Sequence, residues 1–308
     1  MIKWLLLRND HIQFLNKINE MGEKLRVKLK VDGVTPPATY YKWGCFAQIG
    51  IIVFCMFLIA NDIFKELHFE RFTWLNCIQS ILFGSAITVQ ILIIFYIGFL
   101  AAALGQYFDV VLNRLSHVRD IQFTLQKRVL NRVLLLGINL FDELLCLKED
   151  FKKLFDHLLL LMFSFAFVNL TISVYFVLSY SGNNIFSIAS AYLFSVFILP
   201  HALLFVFLIH FIHKLGDVVT RMSATVNELC DFTTIEIKPF LNSYLLNINY
   251  MEQTKYITVA DIFTIDYSLL YKMFAAIVTY MVLLLQFRQL EQINDVKDTT
   301  NVRATWIK

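Results

Sequence analysis

Four stretches of this chain contain no Asp, Glu, Lys or Arg, and they limit its possible folds more than any other feature. They cover residues 43–60, 72–108, 157–213 and 273–287. A helix needs about 20 mostly apolar residues to cross a bilayer. The third stretch is long enough for two crossings and contains the turn signal Ser-Gly-Asn-Asn at 181–184. The sequence therefore predicts an all-α, polytopic membrane bundle with five spans, at about residues 43–60, 77–104, 157–180, 186–213 and 271–287.

The composition excludes several classes of function. Charged residues make up 17% of the chain, against roughly 25% in a typical soluble domain. The five cysteines form no Cys-x-x-Cys pair, and no metal-ligand cluster, glycine-rich phosphate loop or nucleophile–base pair is visible. No basic stripe with interleaved aromatic residues appears. We therefore expect no enzymatic activity, no metal, no cofactor and no nucleic-acid partner.

The distribution of positive charge predicts how the chain crosses the membrane. The five predicted spans divide the rest of the chain into six segments, of which residues 1–42 are the first. The first, third and fifth segments contain 21 of the 27 Lys and Arg residues, and the second, fourth and sixth contain six. Because Lys and Arg favour the cytoplasmic side, residues 1–42 are predicted to be a cytoplasmic segment. The membrane domain is residues 43–308, and with five spans its C-terminal tail lies outside the cell.

Two long segments on the predicted cytoplasmic side have helical periodicity, at about residues 105–156 and 214–270. Between residues 129 and 154 apolar residues recur every three or four positions and continue into the span at 157, and residues 215–232 repeat the pattern. These anchor helices are predicted to form a packed bundle. The pattern fits both a structural stalk within one subunit and a surface that joins subunits.

The last predicted span places polar side chains at helical spacing. Thr279, Leu283 and Gln286 fall on one stripe of a helix, and the adjoining stripe carries Tyr280, Leu284 and Phe287. A glutamine within lipid is costly unless it faces a partner or water. By itself the stripe favours hydrogen bonding between helices, and it also fits an amide ring and an apolar constriction around a shared axis.

The same residues carry a family resemblance. Thr279-Tyr280, five apolar residues and then Gln286-Phe287, in the last span, resembles the signature of the insect gustatory receptors. The residues that lead into this helix, including Phe263, Ile265 and Asp266, are similar to that family's pattern. One departure is Ala260-Asp261, where a glycine is common in the family.

The resemblance implies a subunit of a ligand-gated cation channel that a small-molecule tastant opens. It implies seven spans, a cytoplasmic N-terminus, an anchor bundle and homo- or hetero-tetramers with other gustatory receptors. The last helices would line the pore, with pore or gate residues Thr279, Tyr280, Leu283, Gln286 and Phe287. The channel would lie in the plasma membrane of a sensory neuron, in contact with membrane lipid. Individual ligand-binding residues are not assigned. The resemblance covers residues 43–308, and residues 1–42 resemble the inner segment after the family's second span. The family's first two spans have no counterpart.

Other receptor and transport classes fit less well. A G-protein-coupled receptor would have the opposite threading, with its N-terminus outside the cell. A secondary transporter would show internal repeats and intramembrane charges. A truncated, non-conducting receptor subunit or isoform is the alternative that the sequence leaves open.

Overall fold

The structure is almost entirely helical. The computed structural model describes residues 2–29, 74–121, 127–180, 199–232, 238–252 and 256–306. Its helices, in chain order, are α1 (Ile2–Leu29), α2 (Trp74–Ile121), α3 (Lys127–Tyr180), α4 (Leu199–Phe232), α5 (Lys238–Glu252) and α6 (Tyr267–Trp306). The predicted all-α class is confirmed. The predicted span at residues 43–60 lies outside the described residues, and the predicted span at 186–213 is described only from residue 199.

Four of the described helices are long and apolar enough to cross a membrane. The qualifying stretches are Val89–His117 in α2, Asn131–Ile172 in α3, Ala202–Cys230 in α4 and Tyr267–Leu290 in α6. At 1.5 Å per residue, the 54 residues of α3 extend roughly 80 Å, whereas the hydrocarbon core of a bilayer is about 30 Å thick. Helix α3 therefore continues well beyond a bilayer, and it runs without a break from the amphipathic stretch into the span predicted at residue 157.

The chain divides into two compact units. The first unit comprises Met1–Leu159 and Phe207–Asp266, and the second comprises Leu160–Val206 and Tyr267–Lys308. Helices α3 and α4 each contribute residues to both units.

The first unit has a dense apolar core. Helix α1 buries one stripe with the spacing expected for an amphipathic helix, at Phe14, Ile18, Met21, Leu25 and Leu29. The periodic residues that predicted anchor helices are also buried, at Leu140, Leu144, Leu147 and Phe151 in α3 and at Leu215, Val218, Met222, Val226 and Leu229 in α4. Apolar residues at helical spacing thus form the core, as the sequence pattern indicates.

Polar contacts between helices add to this core, and α3 supplies three of the acceptors. Its Asp142 accepts a hydrogen bond from Tyr244 Oη of α5 at 2.7 Å. Farther along, Glu143 and Asp150 pair with Lys24 and Lys17 of α1 at 3.1 and 2.6 Å. Burial of Tyr244, together with its bond to Asp142, raises the pKa of its phenol above the ordinary value of 10.0. The phenol is therefore a stable hydrogen-bond donor between α3 and α5.

The second unit leaves many apolar side chains exposed. Leu161 and Leu203 are 67% and 59% exposed, and Val168 and Ile172 are exposed as well. The unit has its own aromatic contact between Phe163 and Phe205, with ring centroids 5.3 Å apart. An apolar outer surface of this kind is suited to contact with lipid tails.

The stretch from 214 to 270, where the sequence predicts anchor helices, also contains two short strands. Helix α4 ends at Phe232, α5 ends at Glu252, and a short antiparallel hairpin follows. Its strands are β1 (Thr258–Val259) and β2 (Phe263–Thr264), with Thr258 opposite Thr264 and Val259 opposite Phe263. Two-residue strands are too short to show alternation, so periodicity does not reveal them.

Candidate functional site

Between residues 267 and 290, where burial is described, helix α6 is covered mainly on one side. The buried apolar residues in this stretch are Leu269, Ile277 and Met281, which are separated by eight and four positions. Only 17% of its apolar stretch is buried, against 61% of the stretch in α2. The rest of the α6 surface is therefore free to contact lipid or other subunits.

The polar stripe of α6 lies opposite this covered side. Thr279 and Gln286 are exposed, and Leu283 is 43% exposed. At about 100° per residue, Gln286 lies nine positions after Ile277, which is about 180° around the helix. The three residues that the sequence groups on one stripe thus share a surface that is exposed among the described residues.

The hydroxyl of Thr279 is satisfied within its own helix. Its Oγ1 donates a hydrogen bond to the carbonyl oxygen of Ala275 at 2.9 Å. A threonine that bonds to the carbonyl four residues earlier adds polarity to a helix surface without requiring a partner helix. Among the described residues, none forms a hydrogen bond with Gln286, so its amide is available to water or to another subunit.

The adjoining aromatic stripe is only partly engaged. The ring of Tyr280 makes an edge contact with Phe167 of α3, with centroids 5.8 Å apart at 74°, yet Tyr280 remains 53% exposed. Phe287 is 63% exposed. A ring contact therefore joins Tyr280 to α3, whereas the side chain of Phe287 is mostly exposed.

Helix α6 also extends farther than the predicted span. The sequence ends the span at residue 287, where the first charge, Arg288, follows. The helix itself continues to Trp306. A charge ends the apolar character of a span but not the backbone hydrogen-bond ladder, so the helix can continue outside lipid.

Sequence reasoning missed one polar contact close to α6. Asp156 of α3 bonds to the backbone of the hairpin that precedes α6. Asp156 lies 104 positions before its partner, Ala260, and nothing in the local pattern of either segment points to the other.

A family model described as 7tm Chemosensory receptor matches residues 2–291, which is nearly the whole chain. A search of curated proteins found no match.

Proposed function

Because the chain belongs to the 7tm chemosensory receptor family, we propose that it is a gustatory chemoreceptor, one subunit of a ligand-gated cation channel opened by a small-molecule tastant. The observation that carries the proposal is the one-sided burial of α6. The described part of the chain leaves the stripe with Thr279, Leu283 and Gln286 exposed. The Gln286 amide on a lipid-crossing helix is unfavourable against lipid tails, so another protein surface or a water-filled path would receive it.

Four copies of α6 around one axis would satisfy this requirement. The Gln286 amides would form a ring whose carbonyl oxygens replace part of the hydration shell of a passing cation. Leu283, one helical turn earlier, would form an apolar ring that excludes water when it is narrow. The same stripe would thus supply both a selectivity element and a gate. Assembly with copies of this chain or with other gustatory receptors would complete the axis.

The distribution of positive charge supports an orientation for this subunit. With 21 of 27 Lys and Arg residues in one set of alternate segments, the N-terminus lies in the cytoplasm and the C-terminus outside the cell. The buried stripes of α1, α3 and α4 in the first unit then belong to a cytoplasmic bundle. The plasma membrane of a taste neuron is the location that this arrangement fits.

The direct test replaces Gln286 by cysteine in a chain expressed in cells, with and without a co-expressed family member. Currents are recorded during application of sucrose, fructose, caffeine or quinine, and a cationic, water-soluble thiol reagent is then added. We expect the reagent to reduce the evoked current of the Gln286→Cys variant by more than about half, because a charge at a narrow ring opposes cation flow.

The matched control is Leu284→Cys. Leu284 is also exposed and lies two positions earlier, about 160° around the helix from Gln286. The reagent should reduce the current of Leu284→Cys no more than it reduces the current of the parent chain. The parent chain contains the exposed Cys146 and therefore sets the baseline. Equal sensitivity of both variants would remove Gln286 from the pore. A chain that reaches the cell surface and carries no current with any partner or stimulus would instead be a non-conducting subunit.

A further inference from the structure

The turn of the hairpin before α6 is strained. Among the described residues, Ala260 and Asp261 are the non-glycine residues with positive φ, at 47° and 53°. In this left-handed region the Cβ atom approaches the following carbonyl oxygen, so alanine disfavours it strongly and aspartate less so. Two consecutive residues of this kind persist only where the surroundings hold them.

Helix α3 supplies the contact that holds the turn. The backbone N–H of Ala260 donates a hydrogen bond to Asp156 Oδ1 at 2.6 Å. Asp261 Oδ1 accepts a hydrogen bond from Thr258 Oγ1 at 3.1 Å and lies 3.5 Å from Lys152 Nζ. A carboxylate that accepts a backbone N–H makes one of the stronger hydrogen bonds in proteins. Asp156 therefore fixes the first left-handed residue, and Lys152 approaches the second.

The hairpin itself is closed by backbone bonds and buried side chains. Ile262 N donates to Val259 O at 2.9 Å, and Ile265 N donates to Ile257 O at 2.9 Å. The side chains of Ile257, Val259 and Ile265 are almost completely buried. The hairpin is thus a small, hydrogen-bonded and buried block, and its strained end is bonded to α3.

The chain enters α6 directly from this block. Strand β2 ends at Thr264, and α6 begins at Tyr267. Asp156 lies next to residue 157, where the sequence predicts that α3 enters the membrane. We propose that Asp156, Ala260 and Asp261 form a clamp that fixes the start of α6 and thereby sets the tastant concentration at which the channel opens. The gating role rests on the proposed channel function, whereas the clamp itself rests on the contacts above.

Two measurements on the full-length protein separate these claims. The first is hydrogen exchange of the peptide that contains Ala260, without any stimulus. Asp156→Ala removes the acceptor, so we expect the Ala260 amide to exchange about tenfold faster or more. Asp156→Asn keeps an acceptor oxygen and should give an intermediate rate. The control is Asp150→Ala, which removes an exposed ion pair on the same helix and should leave this peptide unchanged.

The second measurement is the concentration of stimulus that gives half-maximal current. We expect Asp156→Ala to change it by about threefold or more, with surface expression unchanged. Ala260→Gly relieves the strain because glycine accepts positive φ, so adding it to Asp156→Ala should move the value back towards the parent. A simple loss of folded protein would lower the maximal current without changing the half-maximal concentration.

Each outcome decides one part. Unchanged exchange in Asp156→Ala overturns the clamp, whether or not the chain conducts. Faster exchange with an unchanged half-maximal concentration overturns the gating role and leaves a structural contact. A parent chain without current overturns the gating role together with the channel, and the exchange rates still show whether Asp156 holds the hairpin.

Discussion

The charged side chains of the first unit include pairs that join two helices, whereas many apolar side chains of the second unit are exposed. In the first unit, Asp109 of α2 lies 2.7 Å from Lys214 and 2.6 Å from Arg221 of α4. In the second unit, the hydroxyls of Thr171 and Thr279 donate to the carbonyl four residues earlier in their own helices. Among the described residues, Asp109 thus joins two helices of the first unit, whereas these two hydroxyls of the second unit bond within their own helices.

This difference indicates which interactions stabilise each unit. A bundle with a dense core and cross-helix ion pairs is stabilised mainly by its own packing. A helix in lipid gains little free energy from burying apolar side chains against protein, because the lipid tails around it are equally apolar. Its position therefore depends on van der Waals packing against neighbouring helices and subunits. Substitutions should therefore have large effects on subunit stability in the first unit and small effects on the outer face of the second.

The largest expected effect compares two phenylalanines. Phe141 of the first unit is fully buried, and its ring lies 5.2 Å from that of Phe108. Phe141→Ala should lower the free energy of unfolding by about 3–5 kcal/mol, because it leaves a cavity. Phe274→Ala, on the exposed face of α6, should change it by less than about 0.5 kcal/mol. Thermal unfolding of the purified protein in detergent measures both, and similar losses in the two variants would remove the distinction between the units.

A smaller effect is expected from two glycines that differ only in their surroundings. A Cβ at Gly22 of α1 would lie 2.6 Å from the hydroxyl of the buried Tyr107, whereas a Cβ at Gly105 of α2 would meet nothing within 4 Å. Both alanine variants gain about 1 kcal/mol of helix propensity. The melting temperature of Gly105→Ala should therefore rise. The melting temperature of Gly22→Ala should be lower than that of Gly105→Ala, because overpacking usually costs about 1–3 kcal/mol of stability. Equal melting temperatures would indicate that α1 does not pack closely on α2.

The smallest effect concerns pH. His11 of α1 packs against Tyr96 and Phe155, with ring centroids 5.2 and 5.9 Å apart, and burial lowers the pKa of its imidazole below 6.5. Below pH 6.5 the unfolded chain then binds more protons at this position than the folded chain, so stability decreases as the pH falls. Melting temperatures at about pH 7.5 and about pH 5.5 measure the decrease. His11→Phe should make it smaller, and an identical decrease in that variant would assign it to other groups.

The sequence predicted the helices of both units with unequal completeness. The apolar stripes of α3 and α4 repeat over many turns, so periodicity located them and the structure buries them. The hairpin at 258–264 was missed, because its strands are short and its turn uses Ala260-Asp261 instead of glycine. The resemblance had marked that pair as a departure, and the positive φ at both residues gives the physical reason why glycine suits this position.

By itself, the sequence determined that this protein is a helical membrane protein and that Thr279, Leu283 and Gln286 share one stripe of its last helix. Both follow from local rules, since hydropathy and a repeat of 3.6 residues depend only on neighbouring positions. The tertiary structure was needed to show that this stripe is exposed within the described residues and that Asp156 meets the backbone of Ala260, 104 residues away. Such contacts arise when distant segments pack together, and no local pattern encodes which segment a given helix face will meet.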